Sequence, residues 1–384
     1  MRIGIDGACL SNRRGFGRFA RRIIQALADA GTSHDFVVLV DRPSVASLHL
    51  PACFEPIIVE TYEAPTTAAS STGRRQLRDI IAFSRVAARA RLDLLYFPAS
   101  YSYFPVWGVP RVVVTMHDTL ALAHPEWVFP TWQGRLAWRL KESVAAWQAD
   151  RIVTVSEASR AELITWFRLP SDRVAVMTEG PDPIFQPSEP GPHSDRVLAR
   201  YGVSPRCPYL LYVGGLSPHK NLPRLIEALA MVNRPDLYLV IVGDFADVFH
   251  TQIPELKATI TKFDVGDRVV LTGFVPDVDL VSLYGRALAL VQPSLMEGFG
   301  LPPIEAMACG TPVLASNAGS LPEVIGSAGL FFDPLNVEEM ATTIRSFLAH
   351  PTSREVALAR ASLFTWEAGA KALIEVFQSV APSA

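Results

Sequence analysis

The chain has 384 residues, of which 49% are hydrophobic and 19% charged, and its formal net charge is −3. This length predicts two domains with buried cores, and the near-neutral charge argues against a nucleic-acid-binding protein. The four cysteines are scattered without CxxC spacing, which indicates reduced thiols and neither a disulfide framework nor a metal site. No apolar run reaches the roughly 18 residues of a membrane-spanning helix. These features predict a cytoplasmic protein.

The chain opens on residues 2–6, RIGID, which predict a parallel strand rather than a signal peptide. Gly15 and Gly17 then flank Phe16 and open a helix that we expect over residues 18–30. In a dinucleotide-binding fingerprint the glycines come directly after the strand, whereas Gly15 lies ten residues past Ile5. The spacing therefore disfavours NAD and FAD.

A long segment of residues 43–73 is rich in Pro, Ser, Thr and Ala, and we expect an irregular surface loop there. The next segment, residues 74–92, predicts a basic helix. Its arginines form a solvated face in the favoured interpretation. The alternative is a contact with anionic lipid or with a lipid-diphosphate acceptor, made through Arg74, Arg75, Arg78 and Arg85.

His117 and Asp118 end a strongly apolar strand, residues 111–118, at the edge of the sheet where ligands of parallel sheets bind. A lone histidine is usually structural, but an imidazole can also hydrogen-bond a sugar hydroxyl or a phosphate. Residues 150–156 predict the next strand. Ser156 is the expected N-cap of the helix that follows it.

The second half begins after a Pro- and Gly-rich segment, residues 187–192, which predicts a linker. A strand over 209–213 is followed by Gly214 and Gly215, and Lys220 and Asn221 precede a helix. A lysine at this point is either a surface residue or a ligand of the diphosphate of a leaving nucleotide.

A pair of acidic residues, Asp277-x-Asp279, mimics a metal-binding DxD motif. These residues stand at the start of a predicted helix. We therefore expect them to cap that helix rather than to bind a metal ion.

A stretch of residues 287–323 predicts a buried strand over 287–291, a glycine loop, a short helix over 304–309 and a second strand over 312–316. Loop N–H groups at a helix N-terminus attract a diphosphate. A carboxylate such as Glu305 can accept two hydrogen bonds from a ribose diol, and Glu297 could bind a second polyol. The alternative is that Glu305 complements the helix dipole and that Glu297 is a solvated loop acid.

The segment from Glu297 to Glu305, in the context EGFGLPPIEAMACGTPVLAS, resembles the E-x7-E signature of the retaining glycosyltransferases of family 4 (glycosyl transferases group 1). The segment DRIVTVSEASRAEL also resembles this family. The segments GIDG…GFGRF, TMHD and YVGGLSPHKN are most similar to its mannosyl- and rhamnosyltransferases of bacterial surface-polysaccharide synthesis. The resemblance implies an α/β GT-B fold, in which two Rossmann-like domains face each other across a cleft. It further implies an acceptor domain over 1–186, with a final helix over 366–384 packed back on it, and a donor domain over 193–365.

The resemblance implies transfer of a sugar, with retention and without a metal or other cofactor, from a nucleotide-diphosphate sugar to a hydroxyl of a glycan or lipid-linked acceptor. GDP-mannose is the favoured donor and a UDP-sugar the alternative. The catalytic residues implied are His117, Lys220 and Glu297. The donor-binding residues implied are Gly15, Gly17, Gly214, Gly215, Asn221, Gly298, Phe299, Gly300, Leu301 and Glu305.

Relatives usually carry arginine where this chain has Gly215, so Lys220 is left as the cation expected on the phosphates. This departure motivates one alternative, a nucleotide-sugar-binding protein with weak or no transferase activity. A second alternative is a GT-B hydrolase or epimerase that acts on UDP-sugars. Nucleic acid is not an expected partner, and the expected location is the cytoplasm, with peripheral contact at the inner face of the membrane.

Overall fold

The computed structural model describes residues 1–12, 15–45, 48–61, 76–244 and 253–381. The chain forms two compact units. Unit 1 contains residues 1–179 together with 365–384, and unit 2 contains residues 180–364. Each unit is built on one parallel β-sheet.

Unit 1 contains a seven-stranded parallel sheet in the order β3-β2-β1-β4-β5-β6-β7. Its strands are β1 (Arg2–Asp6), β2 (Asp35–Asp41), β3 (Phe54–Val59), β4 (Leu94–Phe97), β5 (Arg111–Thr115), β6 (Arg151–Thr154) and β7 (Val174–Val176). The helices are α1 (Gly15–Asp29), α2 (Arg42–Val45), α3 (Leu77–Arg89), α4 (Leu120–Ala123), α5 (Pro125–Val128), α6 (Trp132–Gln148), α7 (Glu157–Phe167) and, at the end of the chain, α16 (Trp366–Ser379).

Unit 2 contains a six-stranded parallel sheet in the order β10-β9-β8-β11-β12-β13. Its strands are β8 (Tyr209–Val213), β9 (Tyr238–Val242), β10 (Val269–Gly273), β11 (Ala289–Gln292), β12 (Val313–Ser316) and β13 (Gly329–Phe332). Its helices are α8 (Pro192–Arg200), α9 (Leu222–Val232), α10 (Ile253–Lys262), α11 (Asp277–Arg286), α12 (Leu301–Ala308), α13 (Leu321–Ile325), α14 (Val337–Ala349) and α15 (Arg354–Ala361).

The central strands are continuous apolar runs because a parallel sheet covered by helices is buried on both faces. All residues of β8 and β11 are buried, and β8 pairs with β11 in the register Leu210 to Ala289. In both units the strand order reverses beside the first strand of the sheet. This is the doubly wound, Rossmann-like topology, whose ligands bind at that reversal.

The last helix of the chain belongs to unit 1. The Trp366 ring lies 5.8 Å from that of Phe19 in α1, and the Phe377 ring lies 5.4 Å from that of Tyr96 in β4. Apolar side chains on one face of α16 therefore pack into the core of unit 1.

The prediction of an irregular loop over residues 43–73 is wrong for the segment Phe54–Val59. This segment is the edge strand β3, in register with β2 from Phe36↔Phe54 to Asp41↔Val59. The sequence prediction missed this strand because it contains Pro56. Proline is excluded from central strands but tolerated in an edge strand. Residues 62–75, and with them Arg74 and Arg75, lie outside the described part of the chain.

The sequence predicted helix caps at Ser156 and at Asp279. Ser156 caps α7 as predicted, since its side chain accepts a hydrogen bond from the Ser159 N–H. The prediction that Asp279 caps α11 is wrong. Its carboxylate accepts hydrogen bonds from Arg200 Nη1 at 2.7 Å and Tyr201 Oη at 2.6 Å, and so ties α11 to α8.

No helix in the described residues is long and apolar enough to cross a lipid bilayer. The four cysteine thiols are free. Within the same residues, no group of three or more His, Cys, Asp or Glu side chains is arranged to bind a metal ion.

Candidate active site

The candidate site of unit 2 lies where its strand order reverses, at the carboxyl ends of β8 and β11. The segment after β8 contains Gly214 and Gly215 and a single 3-10 turn, Pro218–Lys220. The loop after β11 contains Glu297 and ends at Gly300, the N-cap of α12, whose φ of +101° suits glycine. Both segments come from the edge of the sheet where the doubly wound topology places a ligand.

Three donors converge on one oxygen of Glu297. Lys220 Nζ lies 2.6 Å from Glu297 Oε1, and Gln292 Nε2 and Ser294 Oγ each lie 2.7 Å from the same atom. The side chains of Lys220 and Glu297 are only 16% and 12% exposed. Within the described residues, Glu297 Oε2 accepts no hydrogen bond. One carboxylate oxygen is therefore fixed by three hydrogen bonds, whereas the other receives none from the described part of the chain.

The charge state of Glu297 follows from these neighbours. Burial alone raises the pKa of its carboxyl, but the positive charge of Lys220 and the hydrogen bonds from Lys220 and Ser294 outweigh this, so the pKa lies below its ordinary value. Glu297 is therefore ionised at neutral pH. It forms a mutually compensating pair with the Lys220 ammonium.

His219 precedes Lys220 and joins the same group. Burial and the neighbouring charge of Lys220 lower the pKa of His219 to about 3, so its imidazole is neutral at physiological pH. Its Nδ1 lies 3.2 Å from Ser217 Oγ, and its carbonyl accepts a hydrogen bond from the Leu295 N–H at 2.7 Å. The backbone of the β8 loop is thus tied to that of the β11 loop.

A third segment, which comprises the end of β12 and the residues after it, holds the Glu297 loop through hydrogen bonds to its backbone. Ser320 Oγ lies 3.0 Å from the Glu297 carbonyl and 2.9 Å from the Phe299 carbonyl, and Ser316 Oγ donates to the Ser294 carbonyl at 2.5 Å. Gly319 has a φ of +59°, and a Cβ there would lie 2.8 Å from the Glu297 carbonyl oxygen. Glycine is required because the two backbones approach so closely.

Glu305 lies within α12 rather than in its first turn, because the helix begins at Leu301 and not at Ile304 as predicted. Its side chain is almost fully buried, at 1% exposure, and Oε2 accepts a hydrogen bond from Tyr284 Oη at 3.1 Å. This position does not support the interpretation of Glu305 as a residue that complements the helix dipole.

Asn221 is held by the protein. Its amide nitrogen donates to the carbonyls of Pro293 and Pro334, at 3.0 and 2.7 Å, and its oxygen accepts from Arg224 Nη1 at 2.8 Å. The sequence predicted that Asn221 contacts the sugar-donor substrate directly. These bonds instead favour a role in positioning the loops of the site. Asn221 adopts the left-handed conformation, with a φ of +59°, and joins the Lys220 turn to α9.

The predicted catalytic residue His117 is in unit 1, just after the end of β5. His117 Nε2 donates to the Pro98 carbonyl at 3.1 Å, and Nδ1 lies 3.4 Å from Glu179 Oε1. The rings of Phe16 and Phe19 lie 5.0 and 4.6 Å from the imidazole. His117 is thus held in one orientation by two polar and two aromatic contacts.

Gly15 and Gly17 lie in the first turn of α1, which begins at Gly15 and not at residue 18 as predicted, and Phe16 between them contacts this histidine. A Cβ on Gly17 would lie 1.8 Å from the Asn12 carbonyl oxygen, so the segment after β1 packs directly on the start of α1. A cavity of ≈ 30 Å³ opens here, a volume that suits one or two water molecules. Its lining residues are Phe16, Ser100, Tyr101, His117, Asp118, Ala121, Leu122, Trp138 and Glu142.

The structure therefore brings Lys220 and Glu297 together, with Glu305 on the helix that follows their loop, and it holds His117, Gly15 and Gly17 in unit 1. Sequence reasoning missed the residues that orient this site: His219, Gln292, Ser294, Ser316, Gly319 and Ser320. Local sequence offered a signal for two of them only, since His219 adjoins Lys220 and Gly319 breaks the segment after a strand.

Two doubly wound units, one of which carries an E-x7-E loop paired with a lysine at its switch point, are the features of a glycosyltransferase with the GT-B fold. Known families match both units: "Glycosyltransferase Family 4" matches residues 13–185, and "Glycosyl transferases group 1" matches residues 198–362. The chain is 35% identical over 290 residues to the O-antigen chain mannosyltransferase B of Escherichia coli, with 73% of each chain covered. It belongs to glycosyltransferase family 4.

Other relatives are longer. The chain is 28% identical over 339 residues to the serotype-specific mannosyltransferase WbdA of Escherichia coli, and the match covers 84% of this chain but 41% of WbdA. The D-inositol 3-phosphate glycosyltransferase of Acidothermus cellulolyticus is 31% identical over 289 residues, which is 71% of this chain and 62% of that protein.

Solved structures share the fold. The sucrose-phosphate synthase of Thermosynechococcus elongatus superposes with a TM-score of 0.76 at 22% identity, with 99% of both chains covered. Anabaena HepE in complex with UDP and glucose gives a TM-score of 0.74 at 21% identity, with 99% of this chain and 100% of HepE covered. At these identities the likeness establishes the GT-B fold and not a donor.

Proposed function

We propose that this glycosyltransferase transfers a hexose, with mannose as the first candidate, from a nucleoside-diphosphate sugar to a hydroxyl of a glycan or lipid-linked acceptor, with retention. The observation that carries the proposal is the Glu297 carboxylate, one oxygen of which is bound by three donors while the other accepts no hydrogen bond from a described residue. The 35% sequence identity to an O-antigen mannosyltransferase supports mannose as the transferred sugar.

Glu297 would bind hydroxyls of the donor sugar. A sugar hydroxyl is a hydrogen-bond donor, and Glu297 Oε2 is an ionised acceptor held in place through Oε1. Gln292 Oε1 is a second buried acceptor that receives no hydrogen bond from a described residue. An unpaired buried acceptor is costly, so a ligand hydroxyl or a water molecule would stabilise this arrangement.

Lys220 would bind the diphosphate. An ammonium group has three N–H donors, so Nζ can keep its bond to Glu297 and still donate to phosphate oxygens. As the glycosidic bond breaks, negative charge grows on the leaving phosphate, and a preorganised cation at this point stabilises the transition state. The N–H groups of residues 298–301, at the start of α12, would add further donors to the same phosphate.

The other predicted residues keep the roles assigned from the sequence. Glu305 would accept hydrogen bonds from the ribose, a role that requires one of its oxygens to reach the ligand from a buried position. His117 would bind the transferred sugar, and Gly15 and Gly17 would lie on the phosphate and acceptor side. Unit 1 would bind the acceptor and unit 2 the donor. No side chain is proposed as a nucleophile, so retention would proceed by same-face attack with the leaving phosphate as base.

We propose a GDP-sugar as the donor, ahead of a UDP-sugar.

A separate proposal is that α3 contacts anionic lipid through Arg78 and Arg85. A lipid-linked acceptor would place the enzyme at the inner face of the membrane.

The experiment is an assay with GDP-mannose, UDP-glucose, UDP-galactose and dTDP-rhamnose, each with mannose-terminated acceptor oligosaccharides. We expect transfer from GDP-mannose, an α-linked product by NMR, and activity without added metal ion. Lys220→Met and Glu297→Gln should lower kcat/KM by about 10²-fold or more. The matched control, Arg234→Met, alters an exposed ion pair in the same unit and should leave activity unchanged.

Several outcomes would contradict the proposal. A β-mannoside formed from GDP-mannose, in which the sugar is α-linked, would refute retention, and transfer from a UDP-sugar alone would refute the GDP assignment. Release of free sugar without transfer to any acceptor would favour the hydrolase alternative. Binding of a nucleotide sugar without any turnover would favour the binding-protein alternative motivated by Gly215.

A further inference from the structure

Helix α6 of unit 1 carries a stripe of large apolar side chains on its solvent side. Trp132, Leu136, Leu140 and Trp147 are 67, 58, 64 and 78% exposed. At 100° per residue these four positions fall within a sector of about 80° on one side of the helix, along a length of about 22 Å. We call them the α6 stripe. The exposed Ser143 falls in the same sector, between Leu140 and Trp147. Burying large apolar residues is ordinarily favourable, so an exposed row of four indicates an interaction surface.

The opposite side of α6 is anchored in unit 1, which fixes the direction of the stripe. Glu142, Ala145 and Ala146 are buried. The Gln148 side chain bonds both backbone groups of Val106, at 2.9 and 2.8 Å. The remaining tryptophan of the helix, Trp138, packs inward with its ring 5.2 Å from that of Phe129. The stripe therefore lies on the side of α6 that faces away from the core of unit 1.

The charges beside the stripe have one sign. Arg139 is exposed, and by helical geometry it lies about 20° from Trp132 on the edge of the stripe. Arg135 lies further along the same edge and is partly buried, with Nε donating to the Phe129 carbonyl at 3.1 Å. Glu142 is the only acidic residue of α6, all of which is described, and it is buried. The exposed side of α6 is thus apolar and cationic.

We propose that the α6 stripe docks on the interface of an anionic lipid bilayer, with α6 lying in the membrane plane. Tryptophan is favoured at the boundary between headgroups and acyl chains, and leucine is favoured below it. Arginine on the edge of such a helix pairs with anionic headgroups. The inference is independent of the proposed donor site, and it names a different surface from the basic helix α3.

A second copy of the chain is a poorer occupant. A two-fold contact between two α6 stripes would place its axis near residues 139–140, the midpoint of the stripe. The two Arg139 side chains would then face each other, and like charges placed together oppose association. An anionic bilayer provides both the apolar layer and the countercharge.

The test is flotation of the full chain with vesicles of phosphatidylcholine alone and of phosphatidylcholine with phosphatidylglycerol at about 3:1. We expect binding to the anionic vesicles. The double variants Trp132→Gln/Trp147→Gln and Leu136→Gln/Leu140→Gln should each weaken this binding by about tenfold or more. The control, Trp166→Gln on α7, replaces another partly exposed tryptophan and should bind as the unmodified chain does.

Two further comparisons separate the alternatives. Arg139→Gln should weaken anionic-vesicle binding more than Arg85→Gln on α3, whereas the reverse order would assign the contact to α3 and overturn the proposal. The proposal also fails if the unmodified chain does not float with anionic vesicles, or if Trp166→Gln is as defective as the stripe variants. A dimer in solution that the stripe variants dissociate, seen by sedimentation velocity, would assign the stripe to self-association instead.

Discussion

Lys220 Nζ lies 2.6 Å from Glu297 Oε1, although 77 residues separate the two in the sequence. The pair joins the loop after β8 to the loop after β11, the two strands between which the order of the sheet reverses. Each charge is compensated by the other, so the cation is in place before any anionic ligand arrives. A preorganised charge of this kind needs no rearrangement during reaction.

The pair should be coupled in stability as well as in activity. Lys220→Met leaves Glu297 with an uncompensated, largely buried charge, and we expect a loss of about 1–3 kcal/mol of unfolding free energy, less than for a fully buried pair. The double variant Lys220→Met/Glu297→Gln should lose less than the sum of the single variants. Urea denaturation of the four proteins measures this coupling.

The exposed pair of Arg234 and Asp236, with 48 and 55% exposed side chains, provides the control for this cycle. Its coupling should be within about 0–1 kcal/mol. Equal coupling energies for the two pairs would mean that the Lys220–Glu297 bond is no more than a surface contact.

Gly319 should be intolerant of a side chain. Gly319→Ala adds a Cβ at 2.8 Å from the Glu297 carbonyl oxygen in a left-handed conformation, so the Glu297 loop must move. We expect about 1 kcal/mol of destabilisation from the conformation, a further 1–3 kcal/mol from the clash, and a drop of at least about tenfold in kcat/KM.

Gly31 is a matched control for that substitution. Its φ of +61° is nearly the same as the +59° of Gly319, but a Cβ there would meet no atom within 4 Å. Gly31→Ala should therefore show the conformational loss alone, with unchanged kcat/KM. If the two alanine variants behave alike, the close approach of Gly319 to Glu297 does not position the loop.

The neutral imidazole of His219 should make stability depend on pH. Its pKa is lowered to about 3 by burial and by the charge of Lys220, whereas an unfolded histidine titrates near 6.5. Between these values the unfolded chain binds more protons, so the stabilisation is complete above pH 6.5 and is lost as the pH falls. From pH 6.5 to 5 the loss should be up to about 2 kcal/mol.

His219→Gln should remove this part of the pH dependence, which urea midpoints at pH 7.5 and 5.0 would reveal. His350→Gln, at an exposed position of the same unit, is the control and should keep the slope of the unmodified chain. An unchanged slope in His219→Gln would contradict the assignment of a neutral, buried imidazole.

Substitutions of the two residues joined by the Tyr284–Glu305 hydrogen bond should distinguish a structural role of Glu305 from a role in nucleotide binding. Tyr284→Phe removes the hydroxyl 3.1 Å from Glu305 Oε2 and should cost about 1 kcal/mol of stability with little change in nucleotide affinity. Glu305→Gln keeps the shape of the side chain but replaces one carboxyl oxygen with an NH2 group, which cannot accept a hydrogen bond, and should weaken nucleotide binding about tenfold or more. Equal losses of affinity in the two variants would assign Glu305 a structural role only.

Much of the fold could be predicted because buried parallel strands appear in the sequence as short, continuous apolar segments. The strand predicted over 287–291 is β11, Ala289–Gln292, and the one predicted over 312–316 is β12, Val313–Ser316. Strand β3 could not be recognised in this way, since its pattern of burial is mixed and it contains Pro56. Helix α6 was missed for a related reason, because its largest apolar side chains face solvent rather than the core.

The site was predictable only in part. The E-x7-E spacing and Lys220 stand out in the sequence, and Gln292 and Ser294 reach Glu297 Oε1 from within five residues. Lys220, however, meets the same oxygen only through the pairing of β8 with β11. The support from Gly319 and Ser320 likewise depends on the pairing of β11 with β12. Such contacts arise from tertiary structure, and a single sequence does not specify which loops will touch.

The most direct test of the donor site is calorimetric titration of the chain with GDP, UDP, ADP and dTDP, without metal ion, beside Glu305→Gln, Lys220→Met and the control Arg234→Met. We predict micromolar binding of GDP, weakened about tenfold or more in the first two variants and unchanged in the control. Tight binding of another nucleotide with the same dependence on the variants would keep the site and change the donor. Absence of binding for all four nucleotides, or equal affinity in all variants, would contradict the assignment of a nucleotide-sugar site to Lys220, Glu297 and Glu305.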